Sequence, residues 1–138
     1  MREIESICII DDDRITMFGI RKMLQSSVKC ETISTYLNGK LALEGIKKGI
    51  EEHGTIPEVI FLDINMPIMD GWQFLKEFIT IPIAQKTRIN IITSSIDSHD
   101  IQNWEKYRKS SSHVITYNVK PITKKKIVEI TRTATTSA

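Results

Sequence analysis

Ile7-Cys8-Ile9-Ile10 runs straight into Asp11-Asp12-Asp13, and Val59-Ile60-Phe61-Leu62 runs straight into Asp63. Short apolar runs bounded by polar residues read as strands. Ile89-Asn90-Ile91-Ile92 leads into Thr93 in the same way, and Val114-Ile115-Thr116-Tyr117 leads, after two residues, into Lys120-Pro121. Thr32-Ile33-Ser34-Thr35 is a weaker fifth run and carries no such group. Helical periodicity fills the gaps, and strands alternating with helices signal an α/β domain on a mostly parallel sheet. In such a sheet all strand ends of one polarity lie along one edge, so polar groups far apart in sequence converge there. Four of the five runs therefore aim chemistry at one place.

The intervening segments carry their own signals. Ile15, Phe18, Ile20, Met23 and Leu24 recur at roughly helical spacing over 14–26, with Asp13 as a natural N-cap. A second strand covers 29–35, and Asn38-Gly39 opens a second helix through Leu41, Ala42, Leu43, Ile46 and Ile50 to residue 52. Gly54 and Pro57 end it. Beyond Asp63, a loop punctuated by Pro67 and Gly71 precedes a third helix over 72–78. Ser95-Ile96-Asp97-Ser98 supplies caps for a fourth helix through Ile101, Trp104 and Tyr107. A last helix spans 123–131, which gives one domain over 1–131 and a short Thr/Ser-rich, frayed tail over 132–138.

Composition narrows the function classes. A chain of 138 residues has room for one core. No apolar stretch is long enough to cross a bilayer, and Met1-Arg2-Glu3-Ile4-Glu5-Ser6 carries charge where a signal peptide needs an apolar region. These features predict a cytoplasmic protein with no membrane partner. The formal net charge of +2 is too small and dispersed for nucleic acid, and Lys124-Lys125-Lys126 reads as the solvated face of the last helix. Cys8 sits inside the first apolar run as a small hydrophobe, and Cys30 carries no motif. His53, His99 and His113 show no metal spacing and are expected at solvent-exposed positions, while Trp72 and Trp104 read as packing residues.

Aspartates clustered on one sheet edge repel and raise one another's pKa unless a cation joins them. Mg²⁺ is the hard, oxygen-seeking ion that one or two carboxylates, water and a phosphate oxygen complete, so a metal site that becomes productive with a phosphoryl donor is implied. Lys120 adds a positive charge beside the same carboxylates, and Thr93 a hydroxyl donor.

The set Ile9-Ile10-Asp11-Asp12-Asp13, Asp63-Ile64-Asn65-Met66-Pro67 with Gly71, Thr93-Ser94-Ser95, and Tyr117 three before Lys120-Pro121 resembles a response-regulator receiver domain, as in two-component signalling. Thr93 follows Asp63 by thirty residues, and the resemblance covers essentially the whole chain. It implies a flavodoxin-like, doubly wound fold: a five-stranded parallel sheet in the order 2-1-3-4-5, flanked by five helices. It implies that Asp63 accepts a phosphoryl group from a histidine kinase or histidine phosphotransfer protein and also ligates Mg²⁺. Asp12 matches a direct metal ligand, Asp11 the acid that holds a metal-bound water, and the Asn65 backbone carbonyl the third protein ligand. Lys120 matches the residue that pairs with the phosphate, and Thr93 the hydroxyl that turns toward it. Tyr117 matches the aromatic that moves inward with Thr93 and changes the face made by helix four, strand five and helix five. The Lys120-Pro121 bond resembles the family's cis peptide. The implied protein is a signalling domain rather than an enzyme, with at most Mg²⁺-dependent self-phosphorylation and self-dephosphorylation. Its downstream protein target is unnamed, and it is a monomer or a phosphorylation-dependent dimer.

Two other classes compete. Asp11-Asp12-Asp13-Arg14-Ile15 also resembles the Asp-x-Asp opening of haloacid-dehalogenase-type phosphohydrolases, with Asp11 at the centre of the chemistry. That reading needs a further acidic pair after the lysine, where only Glu129 stands, and it leaves Asp63 and its Pro-Gly loop unexplained. A never-phosphorylated, receiver-like binding module is the other, and nothing supports it, because every acid, hydroxyl and lysine of the pattern is present. One departure stands out. Lys120 follows Thr93 by twenty-seven residues, and Arg108-Lys109-Ser110-Ser111-Ser112-His113 occupies a place where a short turn is typical, so a modified partner surface is expected there. The chain also stops after the fifth helix, which reads as a stand-alone receiver.

Overall fold

The computed structural model describes residues 4–136 of the chain, so Met1, Arg2 and Glu3 of the amino-terminal stretch lie outside the described residues. Ten elements alternate: β1 (Ile4–Ile10), α1 (Arg14–Ser27), β2 (Cys30–Tyr36), α2 (Gly39–His53), β3 (Val59–Leu62), α3 (Gly71–Phe78), β4 (Arg88–Thr93), α4 (Ser98–Ser110), β5 (Val114–Val119) and α5 (Lys124–Thr136). The five strands form one sheet in the order β2-β1-β3-β4-β5, and every pairing is parallel.

Side chains alternate across the pleat, and both faces are covered. From β1, Ile7 and Ile9 join Val59 and Phe61 of β3 against Met17, Ile20 and Leu24 of α1 and Ile127 and Ile130 of α5. Cys8 and Ile10 join Ile60 and Leu62 on the other side, against Ala42, Leu43 and Ile46 of α2 and Phe74, Leu75 and Phe78 of α3. Burial pushes the Cys8 thiol pKa up, which fits its role as an inert core residue. β3 is buried along its whole length, whereas β2, at one edge, is buried only in part. That is why 32–35 is the weakest of the five runs.

The helix boundaries follow local chemistry. Asp13 caps α1 by accepting from Ile15 N–H, Asn38 caps α2 by accepting from Leu41 N–H, and Asp70 with Gln73 forms a capping box on α3. Gly54 ends α2 at φ 70, in the left-handed region where glycine carries no side-chain penalty.

On α1, Ile15 and Phe18 keep helical spacing but are 83% and 60% exposed, and Met17 lies in the core. Two expectations are corrected. His113 is buried rather than solvent-exposed: its Nδ1 accepts from Thr87 N–H at 2.9 Å, and its ring lies 5.1 Å from that of Phe78. Finally, α5 continues as far as Thr136, through most of the segment assigned above to a tail, and Ser137 and Ala138 lie outside the described residues.

Candidate functional site

Parallel pairing brings Ile10 beside Leu62, so the residues that follow them, Asp11 and Asp63, emerge side by side at the carboxyl end of the sheet. The ladder runs one step further: Asp63 N–H donates to Ile10 O at 2.9 Å, and Asp11 N–H donates to Tyr36 O at 3.1 Å. Asp11 and Asp63 are buried, at 2% and 6% exposure, while Asp12 is exposed. One carboxylate oxygen from each of Asp11, Asp12 and Asp63 lies within 4.8 Å of the others. Lys120 enters from the end of β5 and places Nζ 3.4 Å from Asp11 Oδ2 and 3.5 Å from Asp63 Oδ1.

Electrostatics here are unbalanced. Burial and then the charge of Asp11 push the Asp63 carboxyl up to about 6, with Asp12 adding to the rise, and Lys120 only partly offsets them. Asp11 is raised chiefly by burial, against the Asp13 N–H bond and the Lys120 charge. One ammonium does not neutralise three carboxylates. A hard divalent cation does, and three converging carboxylate oxygens are the donor chemistry that Mg²⁺ takes, so the residues present fit that ion.

The loop after β3 is fixed by close packing. A Cβ on Gly71 would lie 2.5 Å from Asp63 O and 2.8 Å from Ile64 Cα, so only glycine lets α3 start this close to the acid. Asn65 is exposed in this loop. At the end of β4, Thr93 is fully buried; its Oγ1 accepts from Ser95 N–H at 3.1 Å and its carbonyl from Lys120 N–H at 2.7 Å. Tyr117 is half-buried on β5, donates its hydroxyl to Ser95 O at 2.8 Å, and lies 5.8 Å, ring to ring, from Trp104 of α4. The Lys120-Pro121 peptide is cis. Asp11, Asp12, Asp63 and Lys120 thus meet directly, and Thr93 and Tyr117 meet through Ser95.

The family model described as the response regulator receiver domain matches residues 7–132. This chain belongs to the response-regulator receiver domain family. Among solved structures similar to the receiver, a two-component response regulator from Cytophaga hutchinsonii has a TM-score of 0.80 at 26% identity, covering 99% of this chain and 100% of that one. A chemotaxis response regulator of Vibrio cholerae, at TM-score 0.75 and 20% identity over 95% of this chain and 98% of that one, shows the fold alone. A protein-glutamate methylesterase/protein-glutamine glutaminase of Methanococcoides burtonii is 42% identical over 76 residues, 54% of this chain and 20% of that protein. An uncharacterized response regulatory protein of Vibrio cholerae is 26% identical over 128 residues, 92% of this chain and 43% of that protein. The receiver spans a fifth of the length of the first and less than half of the second. No helix among the described residues is long and apolar enough to cross a membrane.

Asp13 helps to separate the receiver from the phosphohydrolase alternative. Its carboxylate accepts from Ile15 N–H at 3.0 Å and from the Thr16 hydroxyl at 2.9 Å, which holds its pKa low and commits it to capping α1. What sequence reasoning missed is a hydrogen-bonded group one layer out, in which Asp100 of α4 accepts from both Ser95 Oγ at 2.7 Å and Trp72 Nε1 at 2.9 Å. A serine two residues past Thr93 and an acid five further on were the available signal, but the tryptophan partner is distant in sequence.

Proposed function

We propose that this receiver accepts a phosphoryl group on Asp63 from a histidine kinase or histidine phosphotransfer protein. The observation that carries the reading is the burial of Asp63 beside Asp11, Asp12 and Lys120 at the carboxyl edge of the sheet. A carboxylate oxygen of Asp63 attacks phosphorus, an O–P bond forms as the P–N bond of the phosphohistidine breaks, and the electron pair stays with the departing imidazole. Lys120, within 3.5 Å of Asp63, pairs with the charge carried by the transferred group. Asp11, Asp12, Asp63 and the Asn65 carbonyl would hold Mg²⁺, which supplies positive charge against the phosphoryl oxygens when bound.

Thr93 then turns its hydroxyl toward the acyl phosphate and Tyr117 follows it inward, which alters the face built from α4, β5 and α5 and so changes affinity for a downstream protein. The same face would carry any phosphorylation-dependent dimer. Enzymatic activity in this reading is limited to Mg²⁺-dependent self-phosphorylation and self-dephosphorylation.

Intact mass after incubation with Mg²⁺ and acetyl phosphate tests the acceptor. One phosphoryl adduct is expected on the parent chain, none on Asp63→Asn and none in chelator. A folded parent that gains no adduct and releases no phosphate from the donor overturns the reading.

A further inference from the structure

The Thr93 hydroxyl belongs to a run of hydrogen bonds that leaves the acceptor site and joins two helices. Ser95 N–H donates to Thr93 Oγ1 at 3.1 Å. Ser95 is itself held from three directions. Its Oγ donates to Asp100 Oδ2 at 2.7 Å and accepts from Asp97 N–H at 3.1 Å, and its carbonyl accepts from the Tyr117 hydroxyl at 2.8 Å. The other carboxylate oxygen of Asp100 accepts from the Trp72 indole N–H at 2.9 Å, and the Trp72 ring stacks on Tyr107 with centroids 5.9 Å apart. One half-buried carboxylate in the first turn of α4 therefore ties the loop after β4 to the start of α3, the helix that follows the Asp63 loop.

We propose that Asp100 is a positioning residue of this receiver: by joining Ser95 to Trp72 it keeps Thr93 in the arrangement that precedes phosphoryl transfer, and so sets how readily the site closes on an acyl phosphate. The proposal rests on the reading of Asp63 as the acceptor. A Thr93 hydroxyl that moves to a phosphoryl oxygen either releases Ser95 N–H or draws Ser95 with it. Release leaves a part-buried donor without its acceptor. Drawing Ser95 along pulls on Asp100 and Tyr117. Of these ties, the hydroxyl-to-carboxylate bond is the strongest kind, because an ionised acceptor shortens and strengthens it, in keeping with its 2.7 Å length. Helix capping does not account for Asp100, since Asp97 already caps α4 by accepting from His99 N–H.

The test measures binding of beryllium fluoride, an acyl-phosphate mimic, in Mg²⁺ to the parent, Asp100→Ala, Asp100→Asn and Asp63→Asn chains, with thermal melting as the check on folding. Losing the Ser95 and Trp72 bonds to the carboxylate from the resting arrangement is expected to tighten binding in Asp100→Ala by about fivefold or more. Asp100→Asn, which keeps an acceptor for Trp72 Nε1–H and a polar group opposite Ser95, is expected to fall between Ala and parent. Unchanged or weaker binding in a folded Asp100→Ala chain overturns the proposal.

A parent chain that binds no beryllium fluoride and takes no phosphoryl group fails on the acceptor reading instead. The clamp is then judged by amide hydrogen exchange and the indole proton resonance in the unliganded chain. Asp100→Ala is expected to move the Trp72 Nε1–H signal upfield and to lower protection of the Ser95 amide together. A Ser95 amide as protected as in the parent overturns the clamp.

Discussion

Asp63 holds its proton to about pH 6 because burial and the Asp11 charge both disfavour its ionised form. Its pKa in the folded chain lies above the unfolded value, so between the two the folded state binds more protons and loses stability as pH rises. That loss is complete above about pH 6 in metal-free buffer. Asp63→Asn removes it. The variant is expected to be more stable than the parent in chelator at pH 7.5 by about 1–2 kcal/mol, with the gap closing toward pH 4. Urea unfolding of both chains at the two pH values checks this, and an equal gap at both would place the cause elsewhere. At this scale the acids were readable because each ends an apolar strand, so its position at the edge follows from the strand alone. His113 was not readable. Ser110, Ser111 and Ser112 precede it, and its burial comes from Thr87 and Phe78, both distant in sequence.

Among the helices from α1 to α4, α4 is anchored least, for it alone contributes no buried residue. Half-buried Trp104 and Tyr107 make its apolar contact, and Trp104 Nε1 donates to Ile115 O at 2.9 Å across to β5. The spare length between Thr93 and Lys120 is spent here, since the helix runs on to Ser110 and Ser111 caps it. Arg108 folds back along that added turn, bonding Glu105 Oε2 at 2.8 Å and covering the Trp104 ring at 5.2 Å. Sequence marked the segment from Arg108 to His113 as unusual yet could not say whether it was helix or loop, because Arg and Lys suit both and the covering contact depends on Trp104. A helix held by two aromatics opens before the core does. Amide exchange in α4 is expected to be the fastest of the helices from α1 to α4, and Trp104→Phe, which removes the bond to Ile115, to cost about 1–2 kcal/mol. Exchange in α4 as slow as in α1 would contradict this.

At the scale of the molecule, two apolar layers grip the sheet from either side and leave its carboxyl edge as the one place where three acids meet among the described residues. The alternating pattern made the parallel α/β sheet readable, while its strand order came from the receiver resemblance, because periodicity does not say which strands are neighbours. The far side of α1 was not readable, because Ile15 and Phe18 satisfy helical spacing while facing outward, and periodicity does not say which turn begins the buried face. Because Asp11 follows β1 and Asp63 follows β3, a cation bound among these acids would hold together two neighbouring central strands that unfolding must separate. Its binding energy would then add to the stability of the whole domain by mass action. Mg²⁺ at a hundredfold excess over its dissociation constant is expected to add about 2.7 kcal/mol, a rise in melting temperature of roughly 8–10 °C for a domain of this size. The rise should shrink below about pH 6, where the proton on Asp63 competes with the ion, and largely vanish in Asp63→Asn. Calorimetric melting across a Mg²⁺ titration at pH 5 and pH 7.5 checks both arms, and an equal rise at the two pH values, or an equal rise in the variant, would show that the ion binds somewhere other than these acids.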